Sequence, residues 1–132
     1  MEKPKTLPPV LRENERYIVF EIIAEEDIEY EDFAKALWLS CLSFLGELYT
    51  SEAEVKIIKN LYNPRTKQGV IRCRHDMTEF VRASIALINK IGNKDAIVKV
   101  LGITGTISSA KRKYLGFTEL QSFWKEESKS LE

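Results

Sequence analysis

Histidine is almost missing from this 132-residue chain and cysteine is scarce: His75 stands alone, and Cys41 and Cys73 are the two thiols. A single histidine between Arg74 and Asp76, with no nucleophile near it in sequence, reads as a structural or loop residue rather than a general base. No His/Cys/Asp cluster has the spacing of metal ligands, and neither a Walker A nor a GxGxxG sequence occurs. The cysteines lie far apart within apolar patterns and form no CxxC pair. Two buried free thiols in a cytoplasmic protein are therefore expected, not a disulfide. Long apolar runs are absent as well. The longest, Phe33 to Leu45, carries Lys35 and falls short of the roughly 18–20 residues of a membrane span. The start, MEKPKTLPPV, has charge and proline but no apolar signal core. An enzyme acting on its own, a metal centre, a secreted fold and a membrane protein are all disfavoured.

What is present is one domain's worth of soluble chain, 44% apolar and 30% charged. The net charge of zero hides a segregation. Met1–Thr66 carries 8 Lys/Arg against 13 Asp/Glu, and Lys67–Glu132 carries 12 against 7. Between Lys56 and Lys113 thirteen basic residues face only Asp76, Glu79 and Asp95, while Glu25–Asp32 is an acidic block. A basic body points to an anionic partner, and an acidic block to a basic one.

Local patterns give the element order. Residues 1–12, with Pro4, Pro8 and Pro9, run extended. Arg16–Ala24 is a strand with Ile18, Phe20 and Ile22 on one face and Tyr17, Val19, Glu21 and Ile23 on the other, so both faces are covered. A helix follows from Tyr30 to Tyr49, with Phe33, Leu37, Cys41, Phe44 and Leu48 as its core stripe. Trp38, Leu42 and Tyr49 widen that stripe beyond the needs of a surface helix, and Leu39 lies outside it. Val55–Tyr62 and Gly69–Arg74 are strands joined by a hairpin loop containing Pro64, Arg65 and Lys67. Asp76-Met77-Thr78-Glu79 resembles a capping box. It opens a helix to Ile91 with Phe80, Ser84, Leu87, Ile88 and Ile91 inward, stopped by Gly92-Asn93. Asp95–Ile103 is the last strand, Thr106–Leu115 a third helix, and the tail 117–132 a further short helix around Leu120, Phe123 and Trp124. The order β-α-β-β-α-β predicts a ferredoxin-like α+β sandwich: a four-stranded antiparallel sheet, two helices on one face, and the C-terminal helix or helices on the other.

The stretch IVKVLGITGTISSAKRKYLG, Ile97–Gly116, carries the clearest functional signal. Gly102 and Gly105 end the strand, Gly105 is expected at positive φ, and Thr106 is an N-cap. The turn presents N–H groups at a helix N-terminus, ahead of Lys111-Arg112-Lys113, which suits phosphate. The three cations span about 200° of helix and cannot all meet one surface; taken alone, such a triplet is more often an ordinary solvated face. Gly102-Ile103-Thr104-Gly105 matches a KH-type GxxG only superficially, because it joins a strand to a helix. An acylphosphatase cradle fails on Glu25-Glu26-Asp27, which repels phosphate. An RNA recognition motif stacks bases on aromatics of its third strand, and Val70-Ile71-Arg72-Cys73-Arg74 has none. RNA contact through backbone charge and shape remains open.

Three blocks, LPPVLRENERYIVFEI (Leu7–Ile22), GVIRCRHDMTEFVRASIALI (Gly69–Ile88) and GITGTISSAKRKYL (Gly102–Leu115), make the chain strongly resemble the archaeal ribonuclease P protein component 2 family. The resemblance implies a non-catalytic subunit of a cytoplasmic ribonucleoprotein whose RNA removes the 5′ leader from precursor tRNA with Mg²⁺. It implies no cofactor on this chain, and pairing with protein component 3, a barrel, in a two-plus-two assembly. Arg72, Arg74, Lys111, Arg112 and Lys113 are the first candidates for RNA phosphates, with Arg12, Arg16, Arg65 and Lys67 behind them, and Gly102, Gly105 and Thr106 form the phosphate turn. Trp38, Leu39, Leu42 and Tyr49 are candidates for the protein interface. The rival reading is a ferredoxin-like interaction or regulatory module that never touches RNA.

Overall fold

The computed structural model describes residues 14–115, so the N-terminal arm with Arg12 and the tail 117–132 lie outside the described residues. Strand β1 (Glu15–Ile23) leads into helix α1 (Tyr30–Ala53), followed by strands β2 (Lys56–Ile57) and β3 (Gln68–Arg74). Helix α2 (Thr78–Ala86), a hairpin of β4 (Lys90–Ile91) and β5 (Lys94–Asp95), strand β6 (Ile97–Thr104) and helix α3 (Ile107–Lys113) complete it. The main sheet has the order β2-β3-β1-β6, antiparallel throughout. That is the expected ferredoxin-like arrangement, with the β4–β5 hairpin as an addition.

Alternation along β1 builds two cores. Ile18, Phe20 and Ile22 join Phe33, Leu37, Cys41, Ile71, Val81 and Ile85 beneath α1 and α2. Phe20 stacks on Phe33 at 4.6 Å between ring centroids, and Tyr62 lies parallel to Phe33 at 6.0 Å. On the opposite face Val19, Val70 and Ala110 form a smaller cluster, flanked by Tyr17, Ile58, Leu61, Leu101, Tyr114 and Leu115. Helix α3 thus covers the second face, as the apolar outer residues of β1 required. Cys41 and Cys73 are free and buried.

Several elements differ from expectation, each for a local reason. The strand at Val55–Tyr62 shrinks to Lys56–Ile57 and continues as a 3-10 turn over Lys59–Leu61. The turn lets one segment serve both layers: Ile58 and Leu61 flank the outer cluster, and Tyr62 enters the inner core, where its hydroxyl donates to the Ile28 carbonyl at 2.6 Å. In α1 the stripe holds for Phe33, Leu37 and Cys41, but Phe44 is exposed and Leu48 is 68% exposed. Gly46, at φ 78° and ψ 173°, breaks the helix and resets its phase, so that Thr50 and Ala53 are the buried residues beyond it. Helix α2 has no capping box, because the Asp76 carboxylate binds Arg74 instead, at 2.8 Å. A 3-10 turn at His75–Met77 shifts the phase, burying Val81 and Ile85 and leaving Phe80 and Leu87 exposed. The helix ends at Ala86, since Gly92 (φ 64°) and Asn93 make a two-residue hairpin loop rather than a helix stop. With Lys94–Asp95 taken by that hairpin, β6 begins at Ile97.

Two predictions follow from the packing. A Cβ on Gly102 would fall inside the Tyr114 ring, whereas one on Gly105 meets nothing within 4 Å. Gly102→Ala should cost about 1–3 kcal/mol by overpacking, and Gly105→Ala should stay within about 0.5 kcal/mol, as read from urea unfolding. Burial, helped by the Glu29, Asp27 and Asp32 carboxylates, pushes the Tyr62 hydroxyl from its ordinary 10 up to about 12. Burial likewise pushes the Cys73 thiol from 9 up to about 11. The folded chain therefore holds both protons more tightly than the unfolded chain, so the contribution of these two groups to stability is fully present below about pH 9 and is lost as pH rises through about 9–12. Tyr62→Phe should lose about 1 kcal/mol at pH 7 with the hydrogen bond, and show a shallower decline above pH 10 in unfolding titrations.

Candidate nucleic-acid interface

The turn from β6 into α3 is fixed by two threonines. Thr104 is buried and donates its hydroxyl to the Thr106 carbonyl at 2.8 Å. Thr106 is the N-cap of α3, accepting from the Ser109 backbone N–H at 3.1 Å. Gly105 does not adopt the expected positive φ; with no neighbour to clear, nothing in the turn requires a glycine there. Gly102 has a different task, since its bare Cα admits the Tyr114 ring and so lets α3 lie close over the sheet. Helix α3 holds seven residues and carries Lys111 partly buried, with Arg112 and Lys113 exposed. Arg112 donates weakly to the Ser109 hydroxyl at 3.5 Å.

Sheet register decides which of the other basic residues share that face. Tyr17 pairs with Arg72 and Thr104, and Lys56 pairs with Arg72, so one rung crosses all four strands as Lys56–Arg72–Tyr17–Thr104. The next rung pairs Glu15 with Arg74. Both rungs point to the α3 side, with Val19 and Val70. Arg72 Nε lies 3.8 Å from a Glu15 carboxylate oxygen, and Arg74 binds Asp76 and reaches the Glu52 carbonyl at 3.4 Å. These pairs are partly exposed. Tyr17 is half-buried and donates to Glu15 at 3.3 Å; burial first, then the Glu15 charge, raise its pKa. Lys56 is exposed and makes no ion pair among the described residues. Sequence reasoning missed Lys56 and Tyr17, although both stand one strand away from Arg72. Their alternation was visible, but the pairing that joins them was not.

The remaining candidates lie elsewhere. Arg16, paired with Cys73, points to the opposite face by alternation, and it donates to its neighbour's carbonyl, Glu15 O, at 2.8 Å. Arg65 is exposed in the loop at the far end of β3, and Lys67 Nζ donates to the Ala24 carbonyl at 2.7 Å. Lys94 closes onto the acidic block through Glu26, at 3.4 Å, and the Asp27 carbonyl, at 3.0 Å. On α1, across the sheet from α3, Trp38 (53%), Leu39 and Tyr49 are exposed and Leu42 is half-buried. Nearby, Phe44, Leu45, Tyr49, Met77 and Phe80 line a groove of about 380 Å³ between α1 and α2. Among the described residues no group of three or more His, Cys, Asp or Glu is placed to hold a metal ion, and no helix is long and apolar enough to cross a membrane.

The cap is open to a direct measurement. Thr106→Ala removes the Ser109 acceptor and should cost about 1 kcal/mol in urea unfolding, while Thr106→Ser should cost little.

Comparison with known proteins places this geometry. Residues 16–115 match the Rpp14/Pop5 family. Ribonuclease P protein component 2 of Pyrococcus furiosus is 43% identical over 114 residues, spanning 86% of this chain and 93% of the relative. The proteins of the same name from Methanosarcina mazei and Methanocaldococcus jannaschii are 35% and 34% identical, covering 84% and 88% of this chain and 92% and 84% of the relatives. A chain in the cryo-EM structure of yeast ribonuclease MRP shares the fold at a TM-score of 0.57 and 14% identity, covering 96% of this chain and 99% of that one. With its family match running from the second residue of β1 to two residues past α3, this chain belongs to the Rpp14/Pop5 family.

Proposed function

We propose that this chain is a protein subunit of ribonuclease P and assists a catalytic RNA in removing the 5′ leader of precursor tRNA. The observation that carries the reading is the similarity, along most of both chains, to archaeal proteins named ribonuclease P protein component 2. Catalysis and its Mg²⁺ belong to the RNA in this reading; the chain itself binds no cofactor. Its part is electrostatic. Arg72, Arg74 and Lys56 on the outer sheet face, and Lys111, Arg112 and Lys113 on the helix packed against that face, neutralise phosphates so that the RNA folds at lower Mg²⁺. The opposite side, with Trp38, Leu39, Leu42 and Tyr49 on α1, pairs with protein component 3 in a two-plus-two assembly. Trp38, Leu39 and Tyr49 are exposed apolar side chains of the kind that mark a protein interface.

The test is cleavage of precursor tRNA by the cognate RNA with component 3, with and without this chain, across a Mg²⁺ titration. Addition of the chain should restore cleavage at low Mg²⁺, and Lys111→Ala/Arg112→Ala/Lys113→Ala should blunt the restoration several-fold. A chain that changes cleavage at no Mg²⁺ concentration, with component 3 folded and present, would instead be an interaction module without RNA contact.

A further inference from the structure

The outer sheet face is where an RNA recognition motif stacks two or three bases. Here α3 occupies the half of that face over β6 and β1, with Tyr114 seated on Gly102 and Thr104 buried beneath the turn. Along the same rung Lys56 of β2 is exposed, Arg72 of β3 is partly exposed, and Tyr17 of β1 stands at the border of the covered half as a half-buried ring beside the Val19–Val70–Ala110 cluster. Adjacent strands lie about 4.8 Å apart, so these three side chains span roughly 10 Å in a straight line across the sheet. Two cations followed by one aromatic ring is the chemistry of a nucleotide with its base unstacked: charge for the backbone and a π-face for the base. Strand β3 has no aromatic residue of its own, and β1 supplies one beside it.

Resting on the ribonuclease P reading, we propose that the rung Lys56–Arg72–Tyr17 binds a single unpaired RNA nucleotide, its base against Tyr17 and its flanking phosphates on Arg72 and Lys56. A duplex does not fit this arrangement, because its bases are stacked and paired and offer Tyr17 no free face. The Glu15 carboxylate, 3.8 Å from Arg72 and 3.3 Å from the Tyr17 hydroxyl, orients both side chains from the next rung of the same face and yields Arg72 to phosphate.

The experiment measures the affinity of the full chain for the cognate ribonuclease P RNA, in the presence of component 3, as a function of KCl concentration. Tyr17→Leu should bind about tenfold more weakly at every salt concentration, with the slope of log K against log[salt] unchanged. Tyr17→Phe, which keeps the ring and drops the hydroxyl, should bind within about twofold of the wild type. Lys56→Ala/Arg72→Ala should reduce the slope by about 1.4, at roughly 0.7 per single-strand phosphate. Wild-type affinity in both Tyr17→Leu and Lys56→Ala/Arg72→Ala overturns the proposal, as does weakening of Tyr17→Phe to the level of Tyr17→Leu. Should Tyr17→Leu unfold below the assay temperature, the double variant decides, and an unchanged slope overturns the proposal. If the wild type itself neither binds the RNA nor restores cleavage, the ribonuclease P reading falls, and this site with it.

Discussion

Strand β1 carries fully buried residues on both of its faces, and most of the architecture answers that constraint. Ile18, Phe20 and Ile22 need α1 and α2 on one side, and Val19, fully buried, needs a second layer on the other. Helix α3 supplies that layer, but a seven-residue helix buries little surface and few of its own hydrogen bonds stabilise it. What holds it is specific: the Thr106 cap, the Thr104 brace beneath it, Ala110 against Val19 and Val70, and Tyr114 on Gly102. The β-bulge between Val19 and Phe20 in the β1–β6 pairing belongs to the same device. It places Gly102 opposite Val19, in the row that faces α3. The position of the Lys111–Lys113 triplet is thus a by-product of covering β1.

That dependence also explains which parts of the molecule were legible in the sequence. The two-sided β1 and the Thr106 cap are each read within a dozen residues, and the ferredoxin-like order follows from stringing such local and periodic signals together. The phase of α2 was not, because a 3-10 turn at His75–Met77 precedes it and moves Val81 and Ile85 into the positions that Phe80 and Leu87 would have taken. Phe44 and Leu48 kept helical spacing with Cys41, yet burial depends on what lies opposite a helix and on the break at Gly46. Register was the largest gap. Nothing in the sequence near Lys56, Tyr17 or Arg72 says that these three share a rung, since the pairings join residues about 16 to 55 positions apart.

Charge shows a related limit of composition. Thirteen cations between Lys56 and Lys113 look like one basic body, but several are committed to the fold. Lys67 holds the Ala24 carbonyl, and Lys94 clasps Glu26 and the Asp27 carbonyl. Lys59 sits over the Tyr30 ring at 5.2 Å. These residues draw the acidic block and its helix start toward the body, leaving a smaller set for an outside anion. Lys56, Arg72 and Arg74 gather at one end of the outer face, and the triplet rides on the helix above it.

Arg72 and Arg74 already have carboxylate partners, and an ion pair is easily taken as proof that a side chain is structural. The magnitudes argue otherwise. Both pairs are more than a third exposed, and exposed pairs are worth about 0–1 kcal/mol after screening and side-chain ordering. A phosphate backbone brings several charges at once and releases condensed counterions, a gain that grows with every contact. The Arg72–Glu15 contact, at 3.8 Å, is too long to be a strong charge-assisted hydrogen bond. Arg74–Asp76, at 2.8 Å, is the better-formed pair, and its carboxylate comes from the turn that starts α2. The two arginines therefore differ in what they can yield. In the proposed role Arg72 exchanges one weak partner for phosphate at little cost, whereas Arg74 would give up the better-formed Asp76 pair and its reach to the Glu52 carbonyl.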